Sequence, residues 1–157
     1  MDDHDRATLE RYRRVVQACA VMNFRQVARS VTGRFDDRLR PVGLRATQLN
    51  LLMAIETSSA TTVTDLAEIL AMDRTTMTRN LKLLRDRGLV EPGRIELTHK
   101  GRRLAARALP LWELAQAELL EGLGKKRWAA LLGDLDAVKA VIRTRSEASR
   151  QGDGQVS

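Results

Sequence analysis

The stretch from residue 71 to 103, AMDRTTMTRNLKLLRDRGLVEPGRIELTHKGRR, constrains this chain more than any other. It reads as a helix, a stop, two short strands and the start of another helix. Asp73 is placed to cap the first helix, because its carboxylate can accept from the free N–H groups of the opening turn. Met77, Leu81 and Leu84 then share one helical face, and Gly88 supplies the left-handed residue that ends such a helix. Arg74, Thr75, Thr78, Arg79 and Lys82 fall off that apolar face. A short helix carrying this exposed set suits an anionic, hydrogen-bonding surface, and duplex DNA is the leading candidate.

The charge distribution points the same way. Residues 73–103 hold nine basic and four acidic side chains, a net +5, against +7 for all 157 residues. Residues 46–72 carry three acids and no Lys or Arg. The positive field is localised, as expected of a nucleic-acid reader. The segment before residue 71 strengthens the reading. After the polar run Ser58-Ser59-Ala60-Thr61-Thr62, Thr64 is expected to cap a helix with Asp65 in its first turn and Leu66, Ala67 and Leu70 inward. That helix ends near Ala71-Met72 and the Asp73 helix begins at once, which is a helix-turn-helix order. Beyond Gly88, Leu89-Val90-Glu91 and Arg94-Ile95-Glu96-Leu97 can pair around Pro92-Gly93. Pro-Gly favours a type II turn, whereas tight hairpins prefer types I′ and II′, so an irregular wing is expected, with Arg94 near its tip.

The rest reads as helical scaffold. One helix is predicted from about Ala7 to Leu39, with Phe24, Ala28, Val31, Phe35 and Leu39 as an apolar stripe, ended by Pro41 and Gly43. A helix near Ala46 to Glu56 offers Leu49, Leu52, Met53 and Ile55 to the core. Thr98 is expected to cap a helix running towards Leu120, kinked at Pro110, with Gly122 and Gly124 breaking the chain. In a last helix Trp128, Leu131, Leu135, Val138 and Ile142 repeat at steps of three and four, the pattern of a helix–helix seam. The tail from Ser146 is polar and expected to be disordered.

The segments LRPVGLRATQLNLLMAI, TVTDLAEILAMDRTTMTRNLKLLRDRGLVEPGR and IELTHKGRRL together resemble the MarR family of bacterial transcriptional regulators, from roughly Tyr12 to Arg145. The DRTTMTRNLKLL block followed by GLV and LTHKG carries most of the likeness. The resemblance implies a mainly α winged helix-turn-helix protein with a small β-hairpin wing and a terminal-helix dimerisation region. The whole chain would be one MarR-like domain, with a DNA-binding lobe over 46–103, dimerisation helices over 7–40 and 104–145, and a tail over 146–157. It implies a homodimeric repressor on palindromic operators, released by a small-molecule ligand. Thr64, Arg74, Thr75, Thr76, Thr78, Arg79, Lys82 and Arg94 are the residues expected to touch DNA. Family members usually carry a longer wing with an Asp-x-Arg-Asp-x-Arg-like run, and this chain lacks it, which shifts the burden to the recognition helix. An effector would bind where the first helix meets the DNA lobe, near Phe24, Arg25 and Met53.

Other classes have less support. With two histidines and one cysteine no zinc set can be assembled, and no phosphate loop or nucleophile elbow is present. No catalytic residue, metal or cofactor is therefore expected; His4 and His99 read as bystanders. A single cysteine and the absence of a signal sequence or a membrane-length apolar run fit a cytoplasmic protein that does not engage a membrane. One branch of the family senses oxidants through a first-helix cysteine, but that position aligns with Val21, and an assisting tyrosine aligns with Phe35. Cys19 therefore reads as a small buried hydrophobe rather than a redox sensor. The rival to DNA binding is a protein-interaction module using the same basic face on an acidic partner.

Overall fold

The computed structural model describes residues 3–152. Its elements are α1 (Asp3–Ala18), α2 (Ala20–Leu39), a 3-10 turn (Arg40–Val42), α3 (Ala46–Thr57), α4 (Val63–Ile69), α5 (Arg74–Asp86), α6 (His99–Leu123) and α7 (Lys125–Gly152). The chain divides into two compact units at Ala115–Gln116, inside α6.

The single long first helix expected from the sequence is two helices. Cys19 takes an extended conformation between them, and the Asn23 side chain turns back to donate to the carbonyls of Gln17 and Cys19 at 3.1 and 2.9 Å. The bond to Gln17 O serves an acceptor at the end of α1, while Cys19 O also accepts from the Asn23 N–H at 3.0 Å. Cys19 is consequently a half-buried break residue, not the buried hydrophobe expected. The apolar stripe also divides. Phe35 and Leu39 are buried, Val31 is half-buried, and Phe24 remains 46% exposed.

The core of the first unit gathers Phe35 and Leu39 of α2, Leu49, Leu51, Leu52 and Ile55 of α3, Leu66 of α4, Met77, Leu81 and Leu84 of α5, and Leu89, Val90 and Leu97 of the wing. Phe35 stacks obliquely on Trp112, ring centres 5.8 Å apart. Burial of these side chains supplies the main stabilisation, at about 1.5–3 kcal/mol each.

The expected hairpin is reduced to one bridge. Val90 pairs with Leu97, the Glu91 N–H donates to Glu96 O at 2.9 Å, and the Thr98 N–H donates to Leu89 O at 3.1 Å. No longer strand forms among the described residues. Gly93 has φ +73, as the second central residue of a type II turn requires, and that geometry does not propagate a regular ladder.

Thr98 caps α6 as expected. Its hydroxyl accepts from the Gly101 N–H at 3.0 Å and donates to Gly88 O at 2.7 Å. Helix α6 passes through Pro110 and Gly122 and stops only at Leu123, before Gly124 at φ +83. In the second unit, α7 leaves Leu131, Val138 and Ile142 of the predicted seam exposed, with Trp128 and Leu135 half-covered. That helix continues to Gly152, so the tail expected to be disordered is helical over residues 146–152; residues 153–157 lie outside the described residues.

Candidate nucleic-acid interface

The two helices of the helix-turn-helix end alike. In α4 the Ala71 N–H donates to Glu68 O and the Met72 N–H to Ala67 O; in α5 the Gly88 N–H donates to Arg85 O and the Leu89 N–H to Leu84 O. Both are Schellman closures, which need a left-handed residue after the last turn. Gly88 meets that need at φ +66, and Ala71 meets it at φ +49 with a Cβ in the way. Ala71 is the only non-glycine with positive φ among the described residues, and sequence reading missed it.

The helix starts are set by carboxylates. Thr62, not Thr64, caps α4: its hydroxyl accepts from the Asp65 N–H at 3.1 Å, and the Asp65 carboxylate accepts from the N–H groups of Thr61 and Thr62. Thr64 stands exposed inside the first turn of α4. Asp73 caps α5 as expected, accepting from the Thr76 N–H at 2.8 Å. Hydrogen bonds from the Thr62 side chain and the Thr61 and Thr62 backbone hold the Asp65 carboxyl below its ordinary range. The Thr76 side chain and backbone do the same for Asp73.

With Met77, Leu81 and Leu84 buried, α5 turns Arg74, Thr75, Thr78, Arg79 and Lys82 outward. Arg74 and Arg79 form no ion pair among the described residues, whereas Lys82 pairs with Asp86 at 2.7 Å. The Thr78 hydroxyl donates to Arg74 O at 2.8 Å, which leaves its lone pairs facing out. Thr76 is also exposed, but its hydroxyl and N–H are both engaged with Asp73. Arg94 is exposed in the wing and lies 3.5 Å from Glu96.

Much of the local positive charge is bonded within the fold. Arg85 donates to the carbonyls of Glu91 and Arg94 at 3.2 and 3.1 Å and ties the wing turn to the end of α5. Arg87 donates to Gly43 O and Gln48, Lys100 to Arg87 O, Arg102 to Glu56, and Arg103 contacts His99. Five of the nine basic residues of this segment are therefore bonded within the fold, Arg85 and Arg87 half-buried and Lys100, Arg102 and Arg103 exposed, while Arg74, Arg79, Lys82 and Arg94 stand exposed on α5 and the wing.

The residues expected to line an effector cleft do not converge. Arg25 lies in a shallow groove of α2 with Val21, Met22 and Arg29. Met53 lines a separate apolar cleft of about 320 Å³ between α3 and α6, with Leu52, Leu97, Ala105 and Leu109, rimmed by the Glu56–Arg102 ion pair. Phe24 lines neither groove. Among the described residues no cluster of His, Cys, Asp and Glu could hold a metal, and no helix is long and apolar enough to cross a membrane.

The description "MarR family" belongs to the family model that matches residues 42–100, the helix-turn-helix and wing. The transcriptional regulator MosR of M. tuberculosis is 36% identical, with a TM-score of 0.72 over 82% of this chain and 98% of that one. This chain belongs to the MarR family of transcriptional regulators. A second MosR structure, in complex with DNA, is 35% identical with a TM-score of 0.67, over 80% of this chain and 98% of that one. The transcriptional repressor CouR, bound to p-coumaroyl-CoA, is 26% identical with a TM-score of 0.74, over 80% and 95% of the two chains. No curated protein sequence matches the chain. The relatives found are regulators and not enzymes.

Proposed function

We propose that this MarR-family chain acts in the cytoplasm as a homodimeric repressor that reads a palindromic operator with α5. The observation that carries the reading is the outward face of α5, where Arg74 and Arg79 stand without an ion pair among the described residues. Arg74 and Arg79 suit guanine edges or phosphates, and Lys82, by exchanging Asp86, suits a phosphate. Thr78, its proton already donated, suits the amino group of adenine or cytosine; Thr75 suits a thymine methyl. Thr76 and Thr64 sit where backbone phosphates pass a helix N-terminus, and Arg94 serves the shortened wing. The DNA complex of MosR supports this reading.

Dimerisation rests on exposed apolar side chains of the terminal helices: Leu9, Tyr12 and Val16 of α1, and Leu131, Val138 and Ile142 of α7. Twinning α5 about a two-fold axis would set its copies about one turn of duplex, roughly 34 Å, apart. A small-molecule effector would release the operator through its differential affinity for the DNA-competent and incompetent states. The CouR complex and the apolar cleft between α3 and α6 support such control.

Selection of bound genomic fragments followed by footprinting tests the function directly. Arg79→Ala should lose about 1–3 kcal/mol on the selected operator and discriminate less at one base position. Equal loss on every duplex would demote Arg79 to a phosphate contact. If purified dimers prefer no fragment over random duplex, and instead retain an acidic protein on the same face, the interaction-module reading replaces this one.

A further inference from the structure

Arg87 has a different task from the arginines of the DNA face. It follows the last turn of α5, is half-buried, and directs its guanidinium inward. Nη2 donates to Gly43 O at 2.9 Å and Nη1 to Gln48 Oε1 at 3.3 Å. Both acceptors are fixed. Gly43 ends the 3-10 turn in a left-handed conformation with its N–H on Arg40 O, and Gln48 Oε1 also accepts from the Arg45 N–H at 3.1 Å. The same corner is tied to α2, because Asp36 accepts from the Ala46 N–H at 2.7 Å and from Arg45 at 3.2 Å. A continuous polar path therefore runs from α2 through the start of α3 to the end of α5.

The other ties of α5 are the apolar burial of Met77, Leu81 and Leu84 and the bonds of Arg85 to the wing turn and of Lys100 to Arg87 O, and among the described residues none of these is a polar bond to α2 or α3. Apolar burial is non-directional and tolerates small swings, whereas a forked guanidinium bound to two fixed oxygens does not. Leverage makes this matter. Helix α5 has 13 residues, hence a length of about 20 Å, so a swing of about 10° at its Arg87 end moves Arg74 by about 3.4 Å, one base-pair rise. We infer that Arg87 is a positioning residue that fixes the aim of the recognition helix relative to α2 and so sets the half-site spacing the dimer accepts. This rests on the dimeric DNA-binding reading above.

The test uses the full chain with Cys19→Ser and a spin label at Leu83→Cys, an exposed α5 position outside the DNA face. Distances between the labels of a dimer are measured without DNA, with and without Arg87→Ala. In parallel, unlabelled protein is titrated on a fragment selected by the wild type, re-synthesised with its half-sites one base pair closer or farther, and on a single half-site. Wild type should give a narrow distance distribution and prefer its own spacing by about tenfold. Arg87→Ala should broaden the distribution and cut that preference to about threefold or less, with half-site affinity unchanged. Arg87→Lys, whose point charge cannot span both acceptors, should fall between, and it carries the test if the alanine variant does not fold. Unchanged widths and spacing preference overturn the inference, as does a parallel loss on the isolated half-site, which would make Arg87 a DNA contact. A wild type that neither dimerises nor selects a fragment overturns the underlying reading, and the inference with it.

Discussion

Replacing Gly101 by alanine should destabilise the protein, although alanine is the better helix former and Gly101 lies in a helix. A Cβ built at Gly101 falls 2.1 Å from Leu89 O and 3.0 Å from Leu89 C, both backbone atoms. An ordinary carbon–oxygen contact needs about 3.3 Å, so the first turn of α6 must retreat by about 1.2 Å. That retreat strains the Thr98 N–H bond to Leu89 O at 3.1 Å and the Thr98 hydroxyl bond to Gly88 O at 2.7 Å. Overpacking costs about 1–3 kcal/mol and one weakened hydrogen bond about 1, against a propensity gain of at most about 1. The net loss is about 1–3 kcal/mol, a fall in Tm of about 2–12 °C for a chain of this size. Gly122→Ala is the control, because that glycine also lies in α6 and has nothing within 4 Å; it should gain about 0.5–1 kcal/mol. Thermal and urea unfolding at fixed protein concentration read both. A Gly101→Ala protein as stable as wild type would refute the close-approach argument, whatever its DNA affinity.

Three further outcomes follow from the geometry. Ala71→Gly should raise stability by about 0.5–1 kcal/mol, since it relieves a left-handed alanine at the helix-turn-helix turn, and urea midpoints measure it. Asp65 and Asp73 have carboxyls held below the usual value near 3.8, so their stabilisation is complete above that value and is lost as pH falls through the lowered one. Acid titration should accordingly weaken wild type more steeply below about pH 4 than an Asp65→Asn/Asp73→Asn variant, and equal slopes would contradict the capping account. Arg85→Ala should free the wing turn by removing its bonds to Glu91 O and Arg94 O; faster amide exchange at Glu91–Glu96, with unchanged exchange in α3, is the expected signature.

The recognition helix was legible because its determinants are local: Asp73 at the start, Gly88 at the end, and Met77, Leu81 and Leu84 at helical spacing. The first helix of the pair was legible in existence but not in its cap. Three threonines stand close together, and Thr62 is chosen because Asp65 lies three residues on and completes a reciprocal pair. The break at Cys19 carries no Pro or Gly. It is made by the Asn23 amide reaching back to two carbonyls, which residue types alone do not announce. The same reason hid the basic residues that bond within the fold. Arg85, Arg87 and Lys100 bond to backbone carbonyls, and a carbonyl leaves no mark in a sequence. Gly101 stands in the LTHKG block, but its necessity comes from the Leu89 backbone twelve positions earlier.

That diversion of cations into the fold governs how the protein would respond to ionic strength. Displacement of condensed counterions depends on phosphates neutralised, not on formal charge. If all nine basic residues of the segment reached phosphate in each subunit, log affinity against log salt would fall with a slope near −16 for a dimer. If, as proposed, Arg74, Arg79, Lys82 and Arg94 alone reached phosphate in a dimer, the slope would be about −7. A regulator with that shallower dependence keeps hold of its operator through osmotic upshifts that would strip a more densely cationic one from the chromosome.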